Sequence, residues 1–129
     1  MSIEHMALQV AQPAEMVHWW CKNLGMKVLR QMGPEAFFMA DEGDRVVLEV
    51  YHNPAVGVPE YGAWEAGRFH VAFASDDVKA DAARLVGAGG RLEGALDEIK
   101  PTEAGDVFAI VRDPWGIAVQ LVCRAKPLG

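Results

Sequence analysis

Apolar and polar positions alternate over short stretches that recur in the same order in both halves of the chain. Over residues 3–10, Met6, Leu8 and Val10 fall on one side and Ile3, His5 and Ala7 on the other, the period of two expected of a strand with one face buried. Pro13 suits a first helical turn, Ala14, Val17, Cys21 and Leu24 then recur at helical spacing, Trp20 widens that stripe, and Gly25 ends it. Residues 26–32 predict a short strand closed by Gly33-Pro34. Residues 36–40 and 45–51 predict two more, joined by a turn at Asp41-Glu42-Gly43-Asp44.

Residues 52–67, rich in proline, glycine and aromatics, predict a linker, and after them the order repeats. A strand is expected over 68–74. A helix capped by Ser75 or Asp76 then turns Val78, Ala82, Leu85 and Val86 inward and stops at Gly87-Ala88-Gly89-Gly90. Strands follow over 91–96, 107–111 and 117–122, the last two joined by a turn at Asp113-Pro114-Trp115-Gly116. The pattern is β-α-β-β-β twice: a first module over 1–51, the linker 52–67, and a second module over 68–129. The fold class expected is α+β.

The repeat carries chemistry. EHMALQV (residues 4–10) is echoed by FHVAFAS (69–75), so His5 and His70 occupy equivalent places. RVVLEVY (45–51) is echoed by GIAVQLV (116–122), so Glu49 and Gln120 do too. Alternation puts His5 with Ala7, and His70 with Ala72 and Ala74, while the large residues Met6, Leu8, Val10, Phe69, Val71 and Phe73 lie opposite and should pack on the helices. The histidine faces are lined by small residues and have room. Val47, Glu49 and Tyr51 share one face of their strand, as Ala118, Gln120 and Val122 share one of theirs. A buried polar group without a partner costs ~1–3 kcal/mol. A shared metal ion would supply that partner for all four. Two neutral imidazoles suit nickel, zinc, iron or copper, and a carboxylate adds a hard, negative oxygen. Glu49 is then a ligand and the candidate general base, because the amide of Gln120 cannot take a proton near neutral pH. With a four-residue turn, Phe38 pairs near Val47, shares the Glu49 face and becomes, with Tyr51, a pocket wall; a slip of one residue would reverse that.

Composition narrows the function classes. The formal charge of −6, with Lys and Arg scattered, offers no basic face for nucleic acid. No apolar run approaches the ~20 residues of a membrane span, and MSIEHMALQV has no basic start followed by an apolar stretch, so no secretion signal is expected. Cys21 and Cys123 are too few for a disulfide framework, and two reduced thiols in a cytoplasmic protein are expected. His18 is expected at the surface, His52 in a loop, and Trp64 and Trp115 as packing residues.

The segments IEHMALQV, WWCKNLGMKVL, VVLEVY, FHVAFAS and RDPWGIAVQLV together resemble the vicinal oxygen chelate superfamily, which includes glyoxalase I, the fosfomycin- and bleomycin-resistance proteins, methylmalonyl-CoA epimerase and extradiol dioxygenases. The resemblance covers nearly the whole chain. It implies paired βαβββ modules forming a cup-shaped mixed sheet with helices outside. It also implies a divalent metal (nickel, zinc, iron or manganese) held by His5, Glu49, His70 and Gln120. Glyoxalase I of the bacterial type matches at three of these positions and has glutamate where this chain has Gln120; extradiol dioxygenases take their carboxylate from that same last strand. The resemblance therefore implies a metalloenzyme for a small substrate chelating through vicinal oxygens, by lyase, isomerase or dioxygenase chemistry, with little glyoxalase I activity. The alternatives are a metal-free, non-catalytic small-molecule binder of the bleomycin-resistance type, or a module that kept the fold and lost the chemistry. A homodimer is implied, with the ligands drawn from one chain or exchanged between two.

Overall fold

The computed structural model describes all 129 residues. The chain forms two compact units, residues 1–59 and 60–129, each with its own sheet and helix.

In the first unit the order is β1 (Met6–Gln9), α1 (Pro13–Leu24), β2 (Lys27–Gln31), β3 (Ala36–Ala40) and β4 (Val47–Tyr51). The sheet order is β1-β4-β3-β2, with β1 parallel to β4 and the other pairs antiparallel. A parallel neighbour needs a long crossover, which α1 and the two strands after it supply. Pro13 opens α1, and Gly25 ends it in the left-handed region at φ 69°. The helix packs on β2, β3 and β4. Its buried face is Met16, Val17, Trp19 and Trp20, with Met39, Leu48 and Val50 buried in the sheet. The expected stripe is thus rotated: Val17 is buried, but Cys21 and Leu24 are half-buried and Ala14 is exposed, because the two tryptophans and Met16 take the centre.

The second unit repeats the scheme: β5 (Val71–Ala74), α2 (Val78–Gly87), β6 (Arg91–Leu92), β7 (Val107–Arg112) and β8 (Ala118–Cys123), in sheet order β5-β8-β7-β6, with β5 parallel to β8. The α+β reading of two βαβββ modules holds, as two four-stranded mixed sheets each flanked by a helix. The cap of α2 is Asp77, whose carboxylate accepts from Ala80 N at 3.0 Å; Ser75 instead donates its hydroxyl to Asp81 at 2.6 Å. Val78, Ala82 and Leu85 are buried, but Val86 is 42% exposed, one residue too far round the helix. The strand expected over 91–96 pairs only at Arg91 and Leu92, after which the chain enters a 3-10 turn at Leu96–Glu98.

Residues 60–67, expected to be part of the linker, belong to the second unit. Tyr61 is buried and its ring meets Trp64 edge-on at 5.3 Å, so Trp64 is a packing residue. Arg112 organises this corner. Its guanidinium, almost wholly buried, pairs with Glu93 at 2.7 Å and donates to the carbonyls of Tyr61, Trp64 and Gly116. At the final turn Asp113 accepts from Trp115 N and Ile117 N, both at 2.9 Å. Gly116, at φ 92°, lies where a Cβ would come within 2.7 Å of Gly62 Cα.

Two expectations about the first sheet change. The first strand is shorter than 3–10 and begins at Met6, which is 52% exposed rather than packed under the helix. The loop between β3 and β4 runs over six residues, 41–46, because Ala40 pairs with Val47 and Asp41 N closes on Val46 O. Asp41 is the reason the loop holds this form: its carboxylate accepts from Arg45 N at 2.8 Å and Val46 N at 2.9 Å.

Candidate functional site

The register of the parallel pairs places the candidate ligands equivalently in the two units. Ala7 pairs with Glu49, and Ala72 with Gln120. Each histidine stands two residues before its alanine, hence on the same face as the polar residue of the neighbouring strand. Both histidines lie one residue ahead of the paired strand rather than within it, since the ladders start at Met6 and Val71.

In the first unit His5 Nε2 lies 3.7 Å from Glu49 Oε1, with the side chains 34% and 24% exposed. His5 Nδ1 contacts Glu4 Oε1 at 2.6 Å. The Phe38 ring meets the His5 ring edge-on at 5.3 Å. In the second unit His70 Nδ1 lies 2.8 Å from the carbonyl of Ala66. A carbonyl only accepts, so His70 Nδ1 is the donor here and Nε2 is the ring nitrogen left for another partner. In His5 the carboxylate of Glu4 stands at Nδ1 and that of Glu49 on the Nε2 side. Holding Nδ1–H on a carboxylate or a backbone carbonyl is how ligand imidazoles are oriented around metals. His52, outside this set, donates Nδ1–H to Val10 O at 2.9 Å and ties β4 to the end of β1.

The first unit brings Glu49 to His5; in the second, Gln120 stands opposite Ala72, two residues after His70. No group of three or more His, Cys, Asp or Glu side chains stands together in position to hold a metal ion.

Phe38 pairs directly with Glu49, not with Val47. The two extra loop residues shift the register by two, and a shift of two leaves the side chain on the same face. Phe38 lines an open hollow of ≈ 320 Å³ together with Glu4, Leu29, Arg30, Met32 and Val47. Tyr51 is half-buried on the Glu49 face, pairs with Gln9 and Ala36, and is not among the residues lining that hollow. Two residues absent from the sequence reading join the site: Glu4, whose only sequence signal is an acid beside His5, and Arg30. Cys21 and Cys123 are free thiols, and burial pushes the Cys21 thiol up.

A sequence profile of the Glyoxalase/Bleomycin resistance protein/Dioxygenase superfamily matches residues 2–121. The chain belongs to that superfamily. Glyoxalase I from Zea mays is 25% identical, with a TM-score of 0.69, over 95% of this chain and 44% of the maize chain. A possible glyoxalase from Bacillus cereus is 22% identical with a TM-score of 0.65, over 95% of this chain and 99% of that one. TioX from Micromonospora sp. ML1 is 19% identical with a TM-score of 0.64, over 99% and 100% of the two chains. At their identities the last two speak for the fold alone. No curated protein matches the sequence at a significant level. No helix is long and apolar enough to cross a membrane.

Proposed function

We propose that this superfamily member is a metal-dependent enzyme for a small substrate that chelates a divalent ion through two adjacent oxygens, by lyase, isomerase or dioxygenase chemistry. His5 and Glu49 from the first unit, and His70 and Gln120 from the second, are its ligands. The observation that carries the reading is the placement of the two imidazoles: each has Nδ1 within hydrogen-bond distance of an acceptor, so that Nε2 is the nitrogen left for another partner, and the first Nε2 lies 3.7 Å from a carboxylate oxygen. Two imidazole nitrogens, one carboxylate and one amide oxygen fit nickel, zinc, iron or manganese. A metal site of the catalytic kind needs about three protein ligands with a position left open; one pair falls short, and both pairs supply enough. A homodimer accommodates ligands from one chain or from two.

Such an ion, when bound, supplies Lewis-acid polarisation of the substrate oxygens. The remaining work falls to the chain. His5 and His70 fix the ion, oriented by Glu4 and the Ala66 carbonyl. With both imidazoles committed to the ion, Glu49 is the one group of the four left to take up a proton, at Oε1 or Oε2, from a substrate carbon or hydroxyl. Gln120 contributes an oxygen or a hydrogen bond and no proton transfer. Phe38, whose ring meets His5 edge-on and which pairs with Glu49 across the sheet, offers an apolar surface beside that carboxylate. With a single base, turnover of the methylglyoxal–glutathione hemithioacetal is expected to be slow or absent.

The test is elemental analysis of untagged protein never exposed to chelator. Stoichiometric nickel, zinc, iron or manganese is expected, and its loss in His5→Ala and in His70→Ala with circular dichroism unchanged. Native protein that takes up none of the four metals when they are supplied in excess would leave the second reading, a metal-free binder of apolar small molecules. The largely apolar hollow beside Phe38 favours that alternative.

A further inference from the structure

One residue from each strand lines up across one face of the first sheet: Ala7 of β1, Glu49 of β4, Phe38 of β3 and Arg30 of β2. Neighbouring strands lie ~4.8 Å apart, so Arg30 stands two strands, ~10 Å, from Glu49. A β-bulge shapes this end of the row. Val28 pairs with Met39 and Arg30 with Phe38, leaving Leu29 as the extra residue, so Leu29 and Arg30 both oppose Phe38. The extra residue breaks the alternation that would send successive side chains to opposite faces, and bulges of this kind re-aim side chains beside binding sites. Both residues accordingly line the ≈ 320 Å³ hollow with Glu4, Met32, Phe38 and Val47.

The chemistry of this hollow is specific. Leu29, Met32, Phe38 and Val47 make its walls apolar, and Leu29 and Met32 are 53% and 57% exposed. Arg30 is exposed, and none of the chain's ion pairs includes it. The acid in the same hollow, Glu4, is already engaged by His5 Nδ1. An uncommitted guanidinium on an apolar wall is built to take a planar oxyanion through two parallel N–H···O bonds. The chain's charge of −6 makes this local cation an exception and not part of a general anion-binding surface.

We propose that the hollow is an anion-reading subsite and that Arg30 determines specificity for substrates bearing a carboxylate or similar oxyanion. The proposal rests on the function given above and names its substrate class. The substrate has adjacent oxygens at one end, near His5 and Glu49, an apolar or aromatic middle lying on Phe38, and an anionic group ~10 Å away.

The test is run on metal-free protein, which separates it from the metal assignment. Binding of 3-phenylpropionate is compared by calorimetry with that of 3-phenylpropionamide, equal in shape and lacking the charge. The acid is expected to bind about tenfold tighter, the scale of one exposed charge-assisted contact. Arg30→Gln should bring the two affinities within about twofold while leaving the amide's unchanged, Arg30→Lys should keep part of the preference, and Phe38→Ala should weaken both ligands alike. Equal affinities for the native protein, or a preference that survives Arg30→Gln, overturns the proposal. So does a change of sedimentation-measured oligomeric state in Arg30→Gln with the preference unaltered, because the face is then a contact between copies of the chain. Acid preference in a protein that binds no metal sinks the metal reading alone; stoichiometric metal without acid preference sinks the subsite alone.

Discussion

The two units share order and parallel pairing, yet the side chains along their matched rows differ: the first carries a carboxylate and an unpaired arginine, the second an amide and a glutamate engaged by Arg112. Ala7 opposite Glu49 is matched by Ala72 opposite Gln120, so the backbone repeat is kept to the residue. Next along the row Phe38 is matched by Ile110, which pairs with Gln120. Beyond that, Arg30 is matched by Glu93, whose backbone N–H donates to Ile110 O and whose carboxylate is spent on Arg112. The bulge that brings Leu29 and Arg30 to one side has no counterpart in β6, which pairs regularly over two residues. The histidines differ as well: a side chain, Glu4, holds His5, and a backbone carbonyl holds His70. Duplication fixes where groups stand. Single differences on that frame then give the two units different chemistry to offer.

The sharpest way to break the comparison is at the matched polar residues. Glu49→Gln makes the first unit's donor an amide like the second's; it should lower turnover of any substrate by ~10²–10⁴-fold, the usual contribution of a general base, while elemental analysis still finds metal. Unchanged turnover would assign the proton transfer elsewhere. In the second unit the largest effect is structural. Arg112→Met leaves Glu93 and three carbonyls without their buried donor and should cost ~3 kcal/mol in denaturant unfolding. A loss below ~1 kcal/mol would mean that water replaces the guanidinium.

A smaller effect sharpens the contrast between the histidines. Glu4→Ala frees His5 Nδ1 and should weaken metal affinity about tenfold by competition titration, the lower end of what such outer partners contribute. His70 has no side chain to remove in the same way. The smallest effect is at the β3–β4 loop. The backbone N–H of Val46, and then that of Arg45 with its charge, hold the Asp41 carboxyl below the usual carboxylate range against a partial loss of hydration. A depressed folded value contributes stability above the unfolded value, near ~3.9, and loses it as pH falls through the lower folded one. Asp41→Asn should therefore cost less than ~1 kcal/mol at neutral pH, since the site is open to solvent, and nothing once the native carboxyl is protonated. A pH-independent cost would point to the shape of the side chain and not its charge.

The sequence made much of the site legible for a definite reason. Face membership depends only on the period of two, so placing His5 with Glu49 and His70 with Gln120 follows from alternation plus the repeat, and survives the shorter strands. Phe38 shares the Glu49 face for the same reason, although the loop before β4 is two residues longer than the pattern predicts. The rotated stripe of α1 was harder, because which apolar residues reach the centre depends on the bulk of Trp19 and Trp20 against the sheet. Arg112 lay in view within RDPWG, but its partners at residues 61, 64 and 93 come from other segments.

By itself, then, the sequence determined the element order, the duplication, the helix stop at Gly25 and the sheet face each candidate ligand occupies, since these rest on local propensity and strand pleat. Only the folded chain sets Glu49 opposite Phe38, turns Leu29 and Arg30 to one side, and holds each histidine Nδ1 against Glu4 or the Ala66 carbonyl. Register and bulges are set by hydrogen-bond ladders between separate strands, and the imidazole orientations by how the chain approaches those strands. None of these is written in the spacing of residues along one strand.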